Sequence, residues 1–273
     1  MIESILIAAD GSDPSHVAER WGVALAARLR LRCYGLTVIE ERVALGLRAD
    51  SLGIAAGPLD AVDAFLKSRA EATCRRLAEL CRGQGVECAP ESVRGIADDR
   101  IVERSQGVDL VVMGRDGEHA AGRSVLIGST VDGALRKTAK SCLVVPTGAE
   151  FGGPIVLAFD GSPGSRVAAK LAVELASRLE QPLYVFVDSK DKGRATARFD
   201  EVRRLLGPLS VPVRESSSTL GRPDAKIVDV ARSARAGLIV LGAYGRNRIS
   251  EYFIGSNAAA VVRTSPVAVL LAR

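Results

Sequence analysis

Glycines that precede a helix form the pattern with the clearest chemistry in this chain. Gly242-Ala-Tyr-Gly245 is followed by nine residues and then by Gly255-Ser256-Asn257, where a helix is predicted to begin. Glycines let backbone N–H groups approach an anion closely. A helix start adds unpaired N–H donors and the positive end of the helix dipole. The spacing therefore predicts a loop that binds phosphate.

Side chains around this loop add donors and cations. Ser256 and Asn257 supply a hydroxyl and an amide, and Arg246 and Arg248 stand in the intervening loop. Asp160 ends an apolar strand earlier in the same half, and we expect it to face the loop across a crevice.

The same sequence pattern occurs twice. ILIAADGSDPS (5–15) recurs as IVLAFDGSPGS (155–165), VVMGRDG (111–117) as VLGAYG (240–245), and LIGST (126–130) as FIGSN (253–257). A repeat of about half the chain length indicates two copies of one domain. We place the domains at residues 1–148 and 154–273, with the boundary in the turn-forming stretch between them.

Apolar strands alternate with helices in each copy, which predicts parallel strands joined by right-handed crossovers. We expect an α/β fold of two tandem, doubly wound, five-stranded sheets with strand order 3-2-1-4-5. The last strands, CLVVP and VAVLLA, are expected to join the halves as a pseudo-twofold pair. The first helix is predicted to begin with Asp13 as N-cap and Pro14 as its first residue. In such a sheet the ligand crevice lies beyond strands one and four.

The motif Gly-x2-Gly-x9-Gly-Ser, matched by the second half, resembles that of nucleotide-binding members of the universal stress protein family. The resemblance covers both halves almost end to end and implies a HUP/Rossmann-like fold. It implies that Asp160 contacts the nucleoside and that the backbone at Val187 contacts adenine. The glycine loop and the Gly-Ser helix start would hold the phosphates. The implied ligand is ATP or AMP, with Mg²⁺ accompanying ATP.

The first half departs from this motif. Its corresponding residues are Gly114, Gly117, Gly128, Ser129 and Thr130, with Asp10 and Val38 at the nucleoside positions. Ten residues, rather than nine, separate the second and third glycines. The loop also holds Asp116 and Glu118, whose charges are expected to repel a triphosphate, and His119, read as a solvent-exposed loop residue. We therefore expect nucleotide to bind chiefly in the second half.

Composition is that of an ordinary globular protein, with 47% hydrophobic and 25% charged residues. No apolar run approaches the roughly 18 residues that span a bilayer, so we expect a cytoplasmic protein without a membrane partner. Residues 151–273 hold 18 Lys and Arg against 11 Asp and Glu. That excess fits a polyanionic partner and a solvated basic surface equally well. The basic segment 190–204 reads as a solvated helix face, and nucleic-acid binding is not expected.

All five cysteines, at positions 33, 74, 81, 88 and 142, lie in the first half. An odd number without a CxxC pair does not suggest a disulfide framework. We predict buried structural thiols and no metal site, since the chain has only two histidines.

Catalytic motifs are missing from the sequence. It contains no GxxxxGK[ST] loop, no GxGxxG after the first strand and no SGGxDS loop, and we assign no catalytic residue. The favoured hypothesis is a regulatory stress protein that binds an adenine nucleotide, with at most slow ATP hydrolysis. The alternatives are a scaffold of the same fold that binds no nucleotide and acts through surfaces such as segment 41–58, and an enzyme of phosphate transfer or cleavage. The protein partner is not identifiable from the sequence, and association of two chains as a homodimer is left open.

Overall fold

The computed structural model describes residues 1–41, 59–117, 128–219, 221–244 and 254–273. The predicted insertion at 41–58 lies almost wholly outside the described residues. The strands are β1 (Ser4–Ala8), β2 (Arg32–Glu40), β3 (Cys88–Gly95), β4 (Leu110–Gly114), β5 (Ser141–Val145), β6 (Ile155–Ala158), β7 (Leu183–Asp188), β8 (Val213–Ser218), β9 (Leu238–Gly242) and β10 (Ala268–Ala272). The helices within the described ranges are α1 (Asp13–Leu29), α2 (Leu59–Gly83), α3 (Ala97–Ser105), α4 (Ser129–Lys137), α5 (Pro163–Leu179), α6 (Lys192–Leu206), α7 (Pro223–Ser233) and α8 (Ser256–Thr264).

The ten strands form one sheet in the order β3-β2-β1-β4-β5-β10-β9-β6-β7-β8. Each half therefore has the order 3-2-1-4-5, and its strands pair in parallel. The halves meet where β5 and β10 run antiparallel, with Leu143 opposite Leu270. The predicted fold class and the predicted contact between the last strands are confirmed. The pairing also removes two apolar sheet edges, which would otherwise invite aggregation.

Helices cover both faces of the sheet and bury one apolar core on each. One core takes side chains from α1, α2, α5 and α6, and the other takes them from α3, α4, α7 and α8. Across the two halves, Trp21 of α1 meets Phe151 edge-on, with ring centroids 4.8 Å apart. No helix among the described residues is long and apolar enough to cross a membrane.

Serines begin the first helix of each half. The Oγ of Ser12 accepts a hydrogen bond from the Ser15 nitrogen (3.3 Å), and that of Ser162 accepts one from the Ser165 nitrogen (3.2 Å). The predicted N-cap at Asp13 was wrong by one residue. Ser12 has the extended backbone of a cap residue, and Asp13 is already in the first turn. The cap holds the start of each helix next to the preceding Asp-Gly turn.

Two arginines fasten each half to a helix of the other. Arg115 donates to the carbonyl oxygens of Arg263 (3.2 Å) and Ser265 (2.7 Å), at the end of α8. Arg273 donates to the carbonyl oxygens of Leu135 and Thr138, at the end of α4. A guanidinium at the carbonyl end of a helix satisfies unpaired acceptors and meets the negative end of the dipole. The two acceptor helices, α8 and α4, are equivalent in the two halves, whereas Arg115 follows β4 and Arg273 follows β10.

Asp116 orients the first of these arginines. Its carboxylate accepts hydrogen bonds from Arg115 (2.9 and 3.2 Å) and from the nitrogen and hydroxyl of Thr147 (3.2 and 3.1 Å). Burial by itself raises the pKa of Asp116, but the bonds from Arg115 and Thr147 outweigh it and hold the pKa below its usual value. The carboxylate is therefore part of the contact between halves.

We predict that Asp116→Asn lowers the free energy of unfolding at pH 7 by about 1 kcal/mol. A depressed pKa means that the carboxylate stabilises the folded protein above its unfolded pKa of about 3.9, and that this stabilisation is lost as the pH falls through the lower folded value. The difference between the native protein and the variant should thus be constant down to about pH 4 and shrink below it. Urea unfolding from pH 3 to 7 measures this difference. Asp132→Asn, at an exposed carboxylate paired with Arg136, is the control, and an equal pH dependence there would contradict the account.

Candidate functional site

The second half forms a crevice where β6 and β9 lie side by side. Asp160 follows β6, and its Oδ1 accepts a hydrogen bond from the Ser162 nitrogen (2.9 Å). Gly161 between them has φ +73°, in the left-handed region that favours glycine. The turn places the carboxylate and the capped start of α5 together at the carboxyl end of the sheet.

The glycine loop after β9 lies directly on the start of α5. A Cβ added to Gly242 would lie 2.6 Å from the carbonyl carbon of Gly164 and 2.8 Å from the Ser165 nitrogen. A Cβ added to Gly164 would lie 2.9 Å from the carbonyl oxygen of Tyr244. Side chains at either position would push these backbones apart. The glycines therefore hold the loop against the helix that follows Asp160.

The start of α8 completes this side of the crevice. The Gly255 nitrogen donates to the carbonyl oxygen of Ala243 (2.9 Å), which ties the helix start to the glycine loop. Gly255 is the N-cap and offers no side-chain acceptor, and Ser256 and Asn257 are exposed. The sequence-predicted residues Gly245 and Arg246 lie outside the described residues. Those that are described, Asp160, Gly242 and the α8 start, are brought to one crevice.

An arginine from α6 lies over the Asp-Gly turn. A Cβ added to Gly161 would lie 1.8 Å from the Arg198 guanidinium, which also pairs with Glu201 at 2.7 Å. In the first half, the Arg69 guanidinium similarly donates to the carbonyl oxygen of Asp10 at 3.4 Å. The sequence predicted that Arg198 lies on a solvated helix face. Only the packing of α6 on the sheet places it beside Asp160.

Strand register changes the equivalence at the end of the second strand. Ala8 pairs with Leu36, and Ala158 pairs with Phe186. Counting one and two residues onward, Val187 corresponds to Thr37, and Val38 corresponds to Asp188. The sequence comparison, which matched Val38 with Val187, was off by one residue. Val187 is fully buried.

At this position the second half has the carboxyl group of Asp188, where the first half has Val38. Its Oδ1 is buried and has no hydrogen-bond partner within the described part of the chain. Burial raises the pKa of this carboxyl above its usual value. A buried acceptor without a partner costs stability, so Asp188 is the polar group of this crevice most in need of a donor.

The first half forms a similar crevice with a different loop. Asp10 Oδ1 accepts hydrogen bonds from the nitrogen (2.9 Å) and hydroxyl (2.6 Å) of Ser12. The Gly128 nitrogen donates to the Arg115 carbonyl oxygen at 3.1 Å, and a Cβ on Gly128 would lie 3.7 Å from the Gly117 nitrogen. Gly114 ends β4 before Arg115, and Ser129 and Thr130 begin α4 after Gly128.

Asp116 does not act in this crevice as the sequence suggested. Its charge is matched by Arg115 and its oxygens face Thr147, so it is not an open negative charge awaiting a phosphate. Glu118 and His119 lie outside the described residues. The described parts of the two crevices therefore differ at Val38 and Asp188 and in the contact that Arg115 makes with the end of α8.

Comparison with known proteins agrees with this architecture. The model of the universal stress protein family matches residues 1–146 and again residues 153–273. Universal stress protein Slr1230 from Synechocystis is 22% identical over the full length of both chains.

A solved structure that covers nearly the whole chain shows the same fold. A universal stress protein from Archaeoglobus fulgidus has 18% identity and a TM-score of 0.79, covering 99% of this chain and 98% of that one. A universal stress protein in complex with cAMP is 25% identical, with a TM-score of 0.38, and covers 44% of this chain and 96% of that one. With its two matches to the family model, the chain belongs to the universal stress protein family, as a tandem member with one copy of the domain in each half.

Proposed function

We propose that this protein is a cytoplasmic stress-response regulator that binds an adenine nucleotide, ATP or AMP, chiefly in its second half. The observation that carries the proposal is the packing of the Gly242 loop on the start of α5, with the uncapped start of α8 tied to the same loop. Two helix N-termini thus meet beside one aspartate.

Phosphate recognition follows from these helix starts. The N–H groups of the first turn of α8 have no side-chain cap, and an anion at such a position gains up to about 2 kcal/mol. Ser256 and Asn257 are exposed beside them and can donate hydrogen bonds. Gly242, Gly245 and Arg246 would complete the phosphate contacts, and Mg²⁺ would accompany a triphosphate.

Nucleoside recognition rests on the two aspartates across the crevice. A carboxylate at Asp160 is suited to accept hydrogen bonds from ribose hydroxyls. The backbone at Val187 and Asp188 lies at the end of β7, where the base would lie. The unpartnered Oδ1 of Asp188 is an acceptor for the exocyclic amino group of adenine. Binding would bias the protein's conformation or its choice of partner.

We expect Asp160→Ala to weaken ATP and AMP binding about tenfold, or ~1.4 kcal/mol, because the carboxylate acceptor for the ribose is lost. The matched variant Asp10→Ala, at the equivalent turn of the first half, should leave the tighter site unchanged. Isothermal titration with ATP plus Mg²⁺ and with AMP measures both.

Asp160→Asn tests nucleotide binding in a variant that should keep the Asp-Gly turn, because its side-chain oxygen can still accept the hydrogen bond from the Ser162 nitrogen. Equal losses in Asp10→Ala and Asp160→Ala would place the ligand in both crevices. A native protein that melts cooperatively but binds neither nucleotide at millimolar concentration would refute the proposal. The scaffold function would then be the better account.

Asp188→Val, which installs the residue of the equivalent first-half position, should change stability and binding in opposite directions. Removing a buried acceptor that lacks a partner should raise the free energy of unfolding of the ligand-free protein by about 1 kcal/mol at pH 7. Because its folded pKa is raised, the ionised carboxyl destabilises the protein, so the gain should fade as the pH falls through the raised folded value and be absent below about pH 4. Nucleotide affinity should fall.

Urea unfolding and titration calorimetry on the same samples test this pair of effects. Val38→Asp, the reciprocal change, is the control and should lower stability without creating a tight site. A loss of stability in Asp188→Val would contradict the assignment of Asp188 as an acceptor that awaits a ligand.

A further inference from the structure

Three thiols meet at the end of the first-half sheet opposite the crevice. Cys33 lies at the start of β2, Cys88 begins β3, and Cys81 lies in the last turn of α2. Their sulfur atoms all lie within 4.8 Å of one another. Cys33 and Cys81 are buried, and Cys88 is half-buried. This thiol cluster (Cys33, Cys81 and Cys88) was not foreseen from the sequence, which predicted buried structural thiols and no metal site.

The backbone holds the thiol cluster in place without a ligand. Cys33 and Cys88 are register partners in the β2–β3 pair. The Cys81 carbonyl oxygen accepts hydrogen bonds from the nitrogens of Gln84 (3.0 Å) and Val86 (2.9 Å), in the turn that leads to β3. All three sulfurs are thus positioned by regular structure, and an ion would bind to a formed site at a low cost in ordering.

The fold does not require thiols at this corner. The strand registers make Leu183 the counterpart of Cys33 and Val213 the counterpart of Cys88 in the second half. That half contains no cysteine. Aliphatic side chains fill the same corner there, so the thiol cluster is a property of the first half of this chain.

The chemistry of the thiol cluster selects a soft ion. No histidine or carboxylate of the described residues joins the three sulfurs, and Leu77 and Val86 belong to the surrounding apolar core. Thiolates favour Cu(I) and Zn²⁺ over harder cations, and structural Zn²⁺ takes four ligands. We propose that Cys33, Cys81 and Cys88 form a three-sulfur binding site for Cu(I).

The field at the site agrees with a bound cation. Each thiol that coordinates releases its proton to solvent as its metal–sulfur bond forms, and copper stays Cu(I). The end of α2 presents the negative end of its dipole, which favours a cation.

An entry route lies at the edge of the sheet. β3 is the outermost strand of the first half, and the half-buried Cys88 lies on it. An ion would therefore reach Cys88 first and then Cys33 and Cys81 behind it.

The test is a competition titration of the reduced full chain, without oxygen, against the Cu(I) complex of bicinchoninate. We expect one Cu(I) per chain, with three sulfur ligands by X-ray absorption on the native protein. Cys33→Ala, Cys81→Ala and Cys88→Ala should each lower the affinity at least tenfold. Cys74→Ala, on the same helix, and Cys142→Ala, buried in β5, are matched controls that should retain it.

The sulfur count comes from the unaltered chain, so the test does not depend on how well the variants fold. Failure of the native protein to take Cu(I) from bicinchoninate would overturn the proposal. So would an equal loss in the control variants, or displacement of Cu(I) by an equal concentration of Zn²⁺. None of these outcomes bears on nucleotide binding, since the crevice lies at the other end of the strands.

Discussion

Direct backbone contact between the glycine loop after β9 and the first turn of α5 is the constraint on which the crevice depends. With no Cβ at Gly242 or Gly164, the two segments approach to a separation that any side chain would enlarge. The parallel pairing of β6 and β9 brings the loops to the same edge. The hydrogen bond from Gly255 to Ala243 then carries the start of α8 there. The close approach of the two backbones, the hydrogen bond from Gly255 and the strand order thus bring these segments together at one edge of the sheet.

The loop after the fourth strand of each half, which follows β4 in the first half and β9 in the second, makes different contacts in the two copies. Arg115 and Ala243 occupy equivalent positions, since each donates its backbone N–H to the last strand of its half. In the first half this residue is an arginine that fastens the loop to α8. In the second half Arg273, at the end of β10, makes the contact with α4, and its guanidinium also contacts Tyr244 of the glycine loop. The first-half loop thus contacts the other half directly through Arg115, and the second-half loop contacts the arginine that does so.

Much of the fold was predictable because strands and helices leave local patterns, and the repeat shows each pattern twice. The strand order and the β5–β10 contact followed from topology. The equivalence of Asp188 and Val38 did not, because an apolar run such as YVFVD does not fix its register to within one residue. The ion pair between Asp116 and Arg115 could not be predicted either, because the sequence does not indicate which partner a charged loop residue will contact.

The thiol cluster is another feature that could not be predicted from the sequence. Cys33 is distant in the sequence from Cys81 and Cys88, and no metal-ligand spacing connects them. Their meeting depends on the β2–β3 register and on where α2 ends, and both are tertiary results. Predictions on Gly245, Arg246, Glu118 and the 41–58 insertion lie wholly or almost wholly outside the described residues and remain predictions.

We propose that the second crevice holds an adenine nucleotide. Denaturing freshly purified protein, identifying any released nucleotide by mass and determining its amount per chain tests this proposal. We expect about one ATP or AMP per chain, or saturation at one when the nucleotide is added to the emptied protein. Folded protein that releases none and takes up none would contradict it.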